Sequence, residues 1–431
     1  MSFKQQNSQL KNILTKRDIN EINYSKTVLK GDLRVLTEEI QSVESFALGI
    51  TVGSGSRDDL QDKSGTAHLL EHTAFRQSKK HSSKEIAERF ENIGAYCNAF
   101  TTKENISFYV RALKNNLKKS LNLLSELVCE PVFKKNDCQK ERLIILEEIK
   151  SSEDDPEEYI FDLAEKIIFD GNTLSEPIMG SQESILNISE DDVKDYYNLN
   201  FTKSNTIISC AGNISHDEIS DLIDSNFKFY NIAIKSPRTN NVVKNNCKKI
   251  ELHKSFQQSH ILAAIHVKGH YAEEKYALSL LNIIFGDGMS SRLNQRLREK
   301  HSLAYNIYSS AQIYRDNGGF FIYAACENNK IKKIENLIFL EIEKLLSGGI
   351  SDTEYSRARE QLKSSLIMSL ESMTSRMESL AKNEFYSGEY ESVNTMIDII
   401  DSISKDEIMK LVTQYFHLEN WTTIIFHGAK S

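Results

Sequence analysis

The end of each half of this 431-residue chain carries the same short pattern. Residues 188–193 read ISEDDV, and residues 403–408, 215 positions further on, read ISKDEI. In both, a serine followed by acidic residues is typical of a helix start, because the side chains accept hydrogen bonds from the unpaired amides of the first turn. In both, a β-branched strand that ends in glycine follows, at 206–212 and 423–428. The offset is close to half the chain length, which indicates that one αβ domain has been duplicated.

The hydrophobic pattern within each half places strands in adjacent pairs and helices in runs. In the first half it predicts strands at 32–37, 45–53, 96–102 and 105–112, and helices at 65–76, 83–93, 114–129 and 134–152. In the second half, apolar residues at three- and four-residue steps from Tyr355 to Leu380 predict one long helix facing the core. This arrangement is typical of an α+β fold with two homologous domains, each a mainly antiparallel sheet with helices packed on one face.

The boundary between the two domains is predicted where the periodicity stops. The polar stretch 231–247 contains Ser-Pro-Arg-Thr-Asn-Asn, which is typical of a linker. The sequence therefore predicts a first domain at 1–230 and a second at 248–431.

The pattern H-x-x-E-H at His68, Glu71 and His72 indicates a metal site in the first domain. Residues three and four apart are neighbours on a helix, so both imidazoles can face one ion with the carboxylate beside them. Two neutral histidines commonly hold a catalytic zinc, and a nearby carboxylate can take a proton from water. The order is that of the inverted-motif zinc peptidases. The alternative is an amphipathic helix with two unrelated histidines, so a third ligand is needed.

A second helix offers candidates for that ligand. Glu141 and Glu148 are seven residues apart, about two turns, and so share a face, whereas Glu147 is rotated away by about 100°. Such a pair suits one zinc ligand and one carboxylate that orients the site. Most glutamates on surface helices are simply solvated, which is the alternative for each residue alone. The apolar residues of this helix are expected to pack in the core: Leu143, Ile144, Leu146 and Ile149.

Together these motifs resemble the pitrilysin, insulin-degrading enzyme and mitochondrial processing peptidase family. In this chain Glu148 follows His72 by 76 positions, as the family's spacing requires. The resemblance spans about residues 28 to 428 and includes four further segments: 53–57 (GSGSR), 65–68 (GTAH), 94–101 (GAYCNAFT) and 292–305 (RLNQRLREKHSLAY).

The resemblance implies a role for each candidate residue. His68, His72 and Glu148 would bind one Zn²⁺ per chain, Glu71 would be the general base, and Glu141 would orient the site. The strand residues Asn98, Ala99 and Phe100 would bind substrate. Arg298 and Tyr305, in the second domain of a clamshell half, would assist catalysis in a site completed by a partner chain, which favours a homodimer over a heterodimer with a related subunit.

The chain departs from the family pattern at two places. Arg76-Gln77-Ser78 stands where these proteins usually have Lys-Gly-Thr, and Tyr96-Cys97 is bulkier than usual. We expect these changes to affect substrate preference and to leave the zinc chemistry intact.

Composition excludes several other functions. A net charge of −8 argues against a nucleic-acid partner and favours basic or extended peptides. No apolar run is long enough for a membrane span, no signal peptide is evident, and six scattered cysteines without C-x-x-C suit a reducing compartment, so a cytoplasmic location is expected.

The sequence contains no G-x-S-x-G and no nucleotide-binding glycine motif. The second-half histidines share no helix face and are expected to be structural: His253, His260, His266 and His270.

Two functions remain after these exclusions. The first is a zinc endopeptidase acting on unfolded or extended peptides, with targeting-type presequences as a candidate class. The second is a non-catalytic core or partner subunit of a heteromeric processing or scaffold complex. The presence of His68, Glu71, His72 and Glu148 together favours the enzyme.

Overall fold

The computed structural model describes residues 23–60, 62–227, 229, 238, 247–270 and 274–429. Its strands are β1 (Asn23–Leu29), β2 (Leu33–Glu39), β3 (Ser45–Val52), β4 (Tyr96–Thr101), β5 (Ile106–Leu113), β6 (Thr206–Gly212), β7 (Lys249–His253), β8 (Ser259–Lys268), β9 (Ala304–Ile313), β10 (Asn317–Cys326) and β11 (Thr422–His427). The helices of the first half are α1 (Thr66–Ala74), α2 (Ser83–Asn92), α3 (Leu117–Cys129), α4 (Lys135–Asp154), α5 (Pro156–Ile168), α6 (Gln182–Asn187), α7 (Glu190–Asn200) and α8 (His216–Asn226). Those of the second half are α9 (Lys275–Phe285), a π-helical segment (Asn294–Glu299), α10 (Ile331–Gly348), α11 (Asp352–Ser369), α12 (Met373–Tyr386), α13 (Val393–Ser402) and α14 (Lys405–Tyr415).

The strands form two sheets with the same succession of neighbours. The first has the order β1-β2-β6-β3-β5-β4 and the second the order β7-β11-β8-β10-β9. Each contains one parallel pair, β2 with β6 and β7 with β11, and its other pairs are antiparallel. The second sheet therefore repeats the first without β1, which confirms the α+β fold with two homologous domains.

The repeated sequence pattern has the same structure in both halves. The Ser189 side chain accepts a hydrogen bond from the amide of Asp192 at the start of α7, and Ser404 accepts one from the amide of Glu407 at the start of α14. The strands that follow are β6 and β11, the inner partners of the two parallel pairs. The duplication predicted from these residues is thus confirmed.

Each sheet also receives a helix from the other half on its second face. Helix α5 packs on β8 and β11, where Ile160 and Ala164 meet Leu262 and Phe426. Helix α12 packs on β2, β3 and β6. A Cβ atom on Gly49 of β3 would lie 2.7 Å from Met377 Sδ, so glycine permits the close approach of α12. The two halves are therefore interlocked by an exchange of helices.

The prediction of one long helix from Tyr355 to Leu380 is wrong. Helix α11 ends at Ser369, and α12 begins at Met373 with Ser372 as its capping residue. The apolar steps continue through the break, but Ala358 packs in the second core whereas Leu380 packs against the first sheet. Periodicity identifies a buried face and does not identify the core that buries it.

The predicted linker lies outside the described residues, except for Arg238 and Cys247. The Arg238 guanidinium donates to both carboxylate oxygens of Asp58, at 2.9 and 2.6 Å. The domain boundaries at 230 and 248 stay predictions. No helix in the described part of the chain combines the length and the apolar character needed to cross a bilayer.

Candidate metal centre

The helix that carries H-x-x-E-H begins at a tight turn held by a buried carboxylate. Gly65 has φ of 97°, a left-handed conformation that glycine adopts without strain. Asp59 accepts hydrogen bonds from the amides of Gly65, at 2.8 Å, and Ala67, at 2.9 Å. Burial raises the pKa of Asp59 well above its ordinary value. Sequence reasoning missed Asp59, because it lies six residues before the N-cap Gly65 and only the folded turn brings its carboxylate to these amides.

The three predicted metal ligands lie together. His68 and His72 come from α1 and Glu148 from α4, and one ligand atom from each lies within 4.8 Å of the other two. His72 Nε2 is 3.7 Å from a Glu148 oxygen. Ligand atoms of a tetrahedral zinc with bonds of about 2.0–2.1 Å are themselves about 3.3 Å apart. Two nitrogens and one oxygen at this spacing fit Zn²⁺ after small side-chain adjustments.

The two histidines differ in how they are held. His72 Nδ1 lies 3.1 Å from Glu141 Oε2. Because a carboxylate only accepts hydrogen bonds, this contact favours a proton on Nδ1 and leaves Nε2 as the ligand atom. Within the described residues, His68 Nδ1 is buried and has no hydrogen-bond partner. Burial, and to a lesser degree His72, lowers the pKa of His68 to about 4, so this ring is neutral and able to bind a metal.

Arg76 contacts the same carboxylate that orients His72. Its Nε donates a short hydrogen bond to Glu141 Oε1. The Arg76 side chain therefore reaches the candidate metal site through Glu141, and the expectation that this departure leaves the zinc chemistry intact stays a prediction. No direct signal in the sequence indicates this contact, because Arg76 lies beyond the end of α1 at Ala74 and Glu141 is on a second helix.

Glu71 faces strand β4 from the same helix. The Thr101 hydroxyl donates a hydrogen bond to Glu71 Oε2 at 2.5 Å. Burial raises the pKa of Glu71 above its ordinary value, and the negative Glu148 acts in the same direction. An efficient general base has a pKa near the working pH, so a raised carboxylate pKa suits proton transfer near neutral pH. Thr101 was missed as a site residue, although it is two residues after Ala99 and so shares its face of the strand.

The strand next to the site has a free edge. Among the described residues, β4 is the last strand of the first sheet and pairs with β5, where Asn98, Ala99 and Phe100 face Tyr109, Phe108 and Ser107. No described strand pairs with its opposite side, where an extended peptide can add as a further strand. The Ala99 amide donates to Asn98 Oδ1 at 2.9 Å, a local bond that such a peptide could replace.

The apolar face predicted for α4 is partly wrong. Leu143 is 65% exposed and Ile144 is 42% exposed, while the buried residues of this helix include Cys138, Ile145 and Ile149. The core face therefore includes Ile145, which the prediction left out. Glu141 is also buried, and Glu147 is exposed and paired with Lys150.

Arg298 and Tyr305 lie elsewhere. Both are exposed, Tyr305 at 82%, and they line a groove with Gln258, Glu327 and Lys330. That groove contains neither α1 nor Glu148. The structure thus brings together His68, Glu71, His72, Glu141 and Glu148 beside Asn98–Phe100, and it does not bring Arg298 and Tyr305 to them within one chain.

The second-half histidines have other partners. His260 Nδ1 lies 2.8 Å from the Tyr323 hydroxyl and His266 Nε2 lies 2.8 Å from Asn317 Oδ1. His253 stacks on His427, and His270 stacks on Tyr386. Within the described part of the chain, His68, His72 and Glu148 form the one group of three side chains close enough to share an ion.

Comparisons with known proteins identify the family of this chain. A family model described as insulinase (peptidase family M16) matches residues 34–182, and one described as peptidase M16 inactive domain matches residues 187–362. An uncharacterised zinc protease of Bacillus subtilis, YmxG, is 32% identical over 384 residues, which cover 89% of this chain and 93% of that protein. An uncharacterised zinc protease of Rickettsia felis is 30% identical over 408 residues, covering 94% of this chain and 97% of the relative.

Solved structures share the fold at lower identity. A protease from Helicobacter pylori superimposes with a TM-score of 0.87 at 20% identity, covering 94% of this chain and 99% of that one. A structure described as a peptidase M16 inactive domain, from Pseudomonas fluorescens, has a TM-score of 0.85 at 18% identity, covering 95% and 99%. With the His-His-Glu group on α1 and α4 and the two family models matched in order, the chain belongs to the M16 (insulinase) family of metallopeptidases.

Proposed function

We propose that the chain is a zinc-dependent endopeptidase that cleaves unfolded or extended peptides inside a clamshell chamber. The observation that carries the proposal is the convergence of His68, His72 and Glu148 on one point, with Glu71 on the same helix and the free edge of β4 beside it. One Zn²⁺ per chain fits this donor set.

The roles of the residues follow from their contacts. When bound, zinc supplies a Lewis acid that polarises the substrate carbonyl and lowers the pKa of water. His68, His72 and Glu148 hold the ion, and Glu141 fixes the ring of His72. Glu71 takes a proton from the attacking water and gives it to the leaving amine.

The site suits a peptide substrate in an extended conformation. A folded substrate could not offer its backbone to the free edge of Asn98, Ala99 and Phe100, whereas an unfolded segment can pair with it as an added strand. Backbone pairing gives affinity with little dependence on sequence.

A cavity with a net negative lining favours substrates with basic side chains. The cavity, of about 630 Å³, lies between α5, which follows the Glu148 helix, and β9. Among the described residues, its lining contains one cation, Lys103, which pairs with Glu165 at 2.9 Å, and four carboxylates: Glu157, Glu158, Asp162 and Glu165. Burial raises the pKa of Asp162 to about 6, and a bound cation would favour its charged form. Targeting-type presequences are one class of basic, unfolded peptide.

A second chain is proposed to complete each site. Arg298 and Tyr305 can donate hydrogen bonds to the carbonyl oxygen as it becomes negative, but within one chain they line a separate groove. Their exposure leaves them available to a partner, and because one chain carries both this pair and the metal-site residues, a homodimer is favoured over a heterodimer. The six cysteines are all free thiols, which supports a reducing compartment such as the cytoplasm.

Zinc content and cleavage of an unstructured peptide mixture test the proposal. The purified protein should hold about one zinc per chain. Glu71→Gln should keep the zinc and the fold and lose turnover by roughly 10² to 10⁴-fold. Stoichiometric zinc with no cleavage by the wild type would favour the non-catalytic subunit, and a Glu71→Gln protein with nearly full activity would exclude Glu71 as the base.

A further inference from the structure

Thr101 joins the edge strand β4 to the helix of the metal centre. Its hydroxyl is 2.5 Å from Glu71 Oε2, the separation typical of a hydroxyl that donates to a charged carboxylate. Among the described residues Glu71 makes no other hydrogen bond through its side chain. One carboxylate oxygen is therefore held by the protein, and Oε1 has no protein partner.

We propose that Thr101 is a positioning residue for the general base. It holds Oε2 of Glu71 so that Oε1 is presented to the attacking water at a fixed place relative to the free edge of β4. The inference rests on the proposed function, because it takes Glu71 to be the base. It assigns to Thr101 a role in turnover, and none in holding the metal.

The physical argument begins with the freedom of a glutamate side chain. Glu71 has three rotatable bonds, and a carboxylate that samples several rotamers presents its oxygen to the water only part of the time. A misplacement of about 1 Å can reduce a rate by about a hundredfold. One charge-assisted hydrogen bond removes most of this freedom.

Thr101 can serve as a fixed reference because the turn after it is held on both sides. The amide of Thr102 donates to the Asn105 carbonyl at 2.8 Å, and the amides of Ser56 and Arg57 donate to the carbonyls of Thr102 and Lys103 at 3.0 and 2.9 Å. These bonds anchor the end of β4 to the segment that leads to α1.

The second half of the chain braces the same turn. The buried Glu104 carboxylate accepts hydrogen bonds from Arg57 at 2.6 Å, from the Tyr386 hydroxyl at 2.6 Å and from the Arg315 amide at 2.9 Å. Tyr386 ends α12, and Arg315 lies in the β9–β10 turn. The position of Thr101 is thus set by both domains, and Glu71 is set by Thr101.

The substrate edge and the base are therefore tied to one strand. A peptide that pairs with Asn98–Phe100 takes its register from β4, and Glu71 takes its position from the last residue of β4. The hydrogen bond keeps the scissile bond and the base in register with each other.

Steady-state kinetics of a matched set of variants test the role. Thr101→Val removes the hydroxyl and keeps the shape, Thr101→Ser keeps the hydroxyl, and Thr51→Val removes a buried hydroxyl of the same sheet that bonds Ser107. We expect Thr101→Val to lower kcat roughly ten- to a hundredfold with KM within about threefold. Thr101→Ser and Thr51→Val should retain kcat within about threefold of the wild type, and zinc affinity should be unchanged throughout.

A readout in metal-free protein makes the test independent of turnover. Urea unfolding of the wild type, Thr101→Val, Glu71→Ala and the double variant should show coupling of about tenfold in the unfolding equilibrium constant. Thr101→Ala provides the same comparison should the valine variant not fold. A wild-type kcat in Thr101→Val, a loss in Thr101→Ser as large as in Thr101→Val, or additive unfolding energies would each overturn the inference.

The outcomes separate this inference from the function it rests on. If Glu71→Gln is inactive and Thr101→Val turns over normally, the positioning role is wrong and the endopeptidase stands. If Glu71→Gln keeps its turnover, the assignment of the base is wrong, and the inference is overturned with it.

Discussion

The two halves of the chain have the same succession of strands and very different connections between corresponding strands. In the first half, β3 leads to β4 through α1 and α2, and α1 carries His68, Glu71 and His72. In the second half, β8 leads to β9 through α9 and the π-helical segment, and the α9 sequence KYALSLLNIIF contains no histidine and no acidic residue. Both halves therefore contain a connection of two helical segments that leads to an edge strand, and only the first of these connections carries the metal-site side chains.

The two edge strands differ as well. β4 ends at Thr101, which contacts Glu71, and its free edge lies beside the metal centre. β9 begins next to the exposed Tyr305 and borders the acidic cavity. We infer that the first half supplies the metal ligands and the base and that the second half assists through Arg298 and Tyr305. Each of the following predictions tests that division.

The largest expected effect comes from removing a histidine of the first half. His72→Ala should lose most of the zinc and reduce turnover by at least the 10² to 10⁴-fold range of a lost base, because the ligand and the site's orientation through Glu141 disappear together. His253→Ala, an exposed histidine of the second half, is the matched control and should keep its metal. Full zinc occupancy in His72→Ala would remove the assignment of α1 as the metal helix.

The next effect concerns the exposed pair of the second half. Glu71→Gln and the double variant Arg298→Ala/Tyr305→Phe should each be nearly inactive alone. If each site is built from two chains, a mixed dimer has one site with both halves intact, so about half of the wild-type activity per mixed dimer should return after subunit exchange. Mixed dimers of verified composition without recovered activity would contradict the shared site.

A smaller effect is expected from the carboxylate that orients His72. Glu141→Gln should weaken zinc affinity by roughly ten- to a hundredfold, since the neutral amide holds the ring less firmly. Glu147→Gln changes an exposed neighbour on α4 and should leave the affinity unchanged. Competition titration with a chelator measures both, and equal affinities in the two variants would show that the Glu141 contact does not support the metal.

The smallest effect on turnover is expected where the halves interlock. Met377 on α12 is fully buried against the first sheet, so Met377→Ala should lower the free energy of unfolding by about 2–5 kcal/mol and leave zinc binding intact. Met368 on α11 is 61% exposed, and Met368→Ala should change stability by less than about 0.5 kcal/mol. Equal stability of the two variants in denaturant titrations would show that the crossing helix contributes little.

Much of the site could be predicted because its residues are local in sequence. Helical spacing alone places His68, Glu71 and His72 on one side of α1, and Glu141 and Glu148 on one side of α4. The contacts of Thr101, Asp59 and Arg76 were not predicted, because each depends on how a strand, a turn or a second helix is placed beside α1. The apolar assignment of Leu143 and Ile144 failed for the same reason: the packing partners of α4 determine which of its apolar residues are buried.

By itself the sequence determined most strand and helix segments between residues 32 and 152, the duplication and the H-x-x-E-H motif, because these follow from periodicity, capping residues and ligand spacing within short stretches. Only the tertiary structure decided that α5 and α12 cross to the opposite sheets, that the run from Tyr355 to Leu380 is two helices serving two cores, and that Arg298 and Tyr305 stand apart from the metal centre. The physical reason is that an apolar face is satisfied by any core of suitable shape, so the pairing of faces is settled when the whole chain packs.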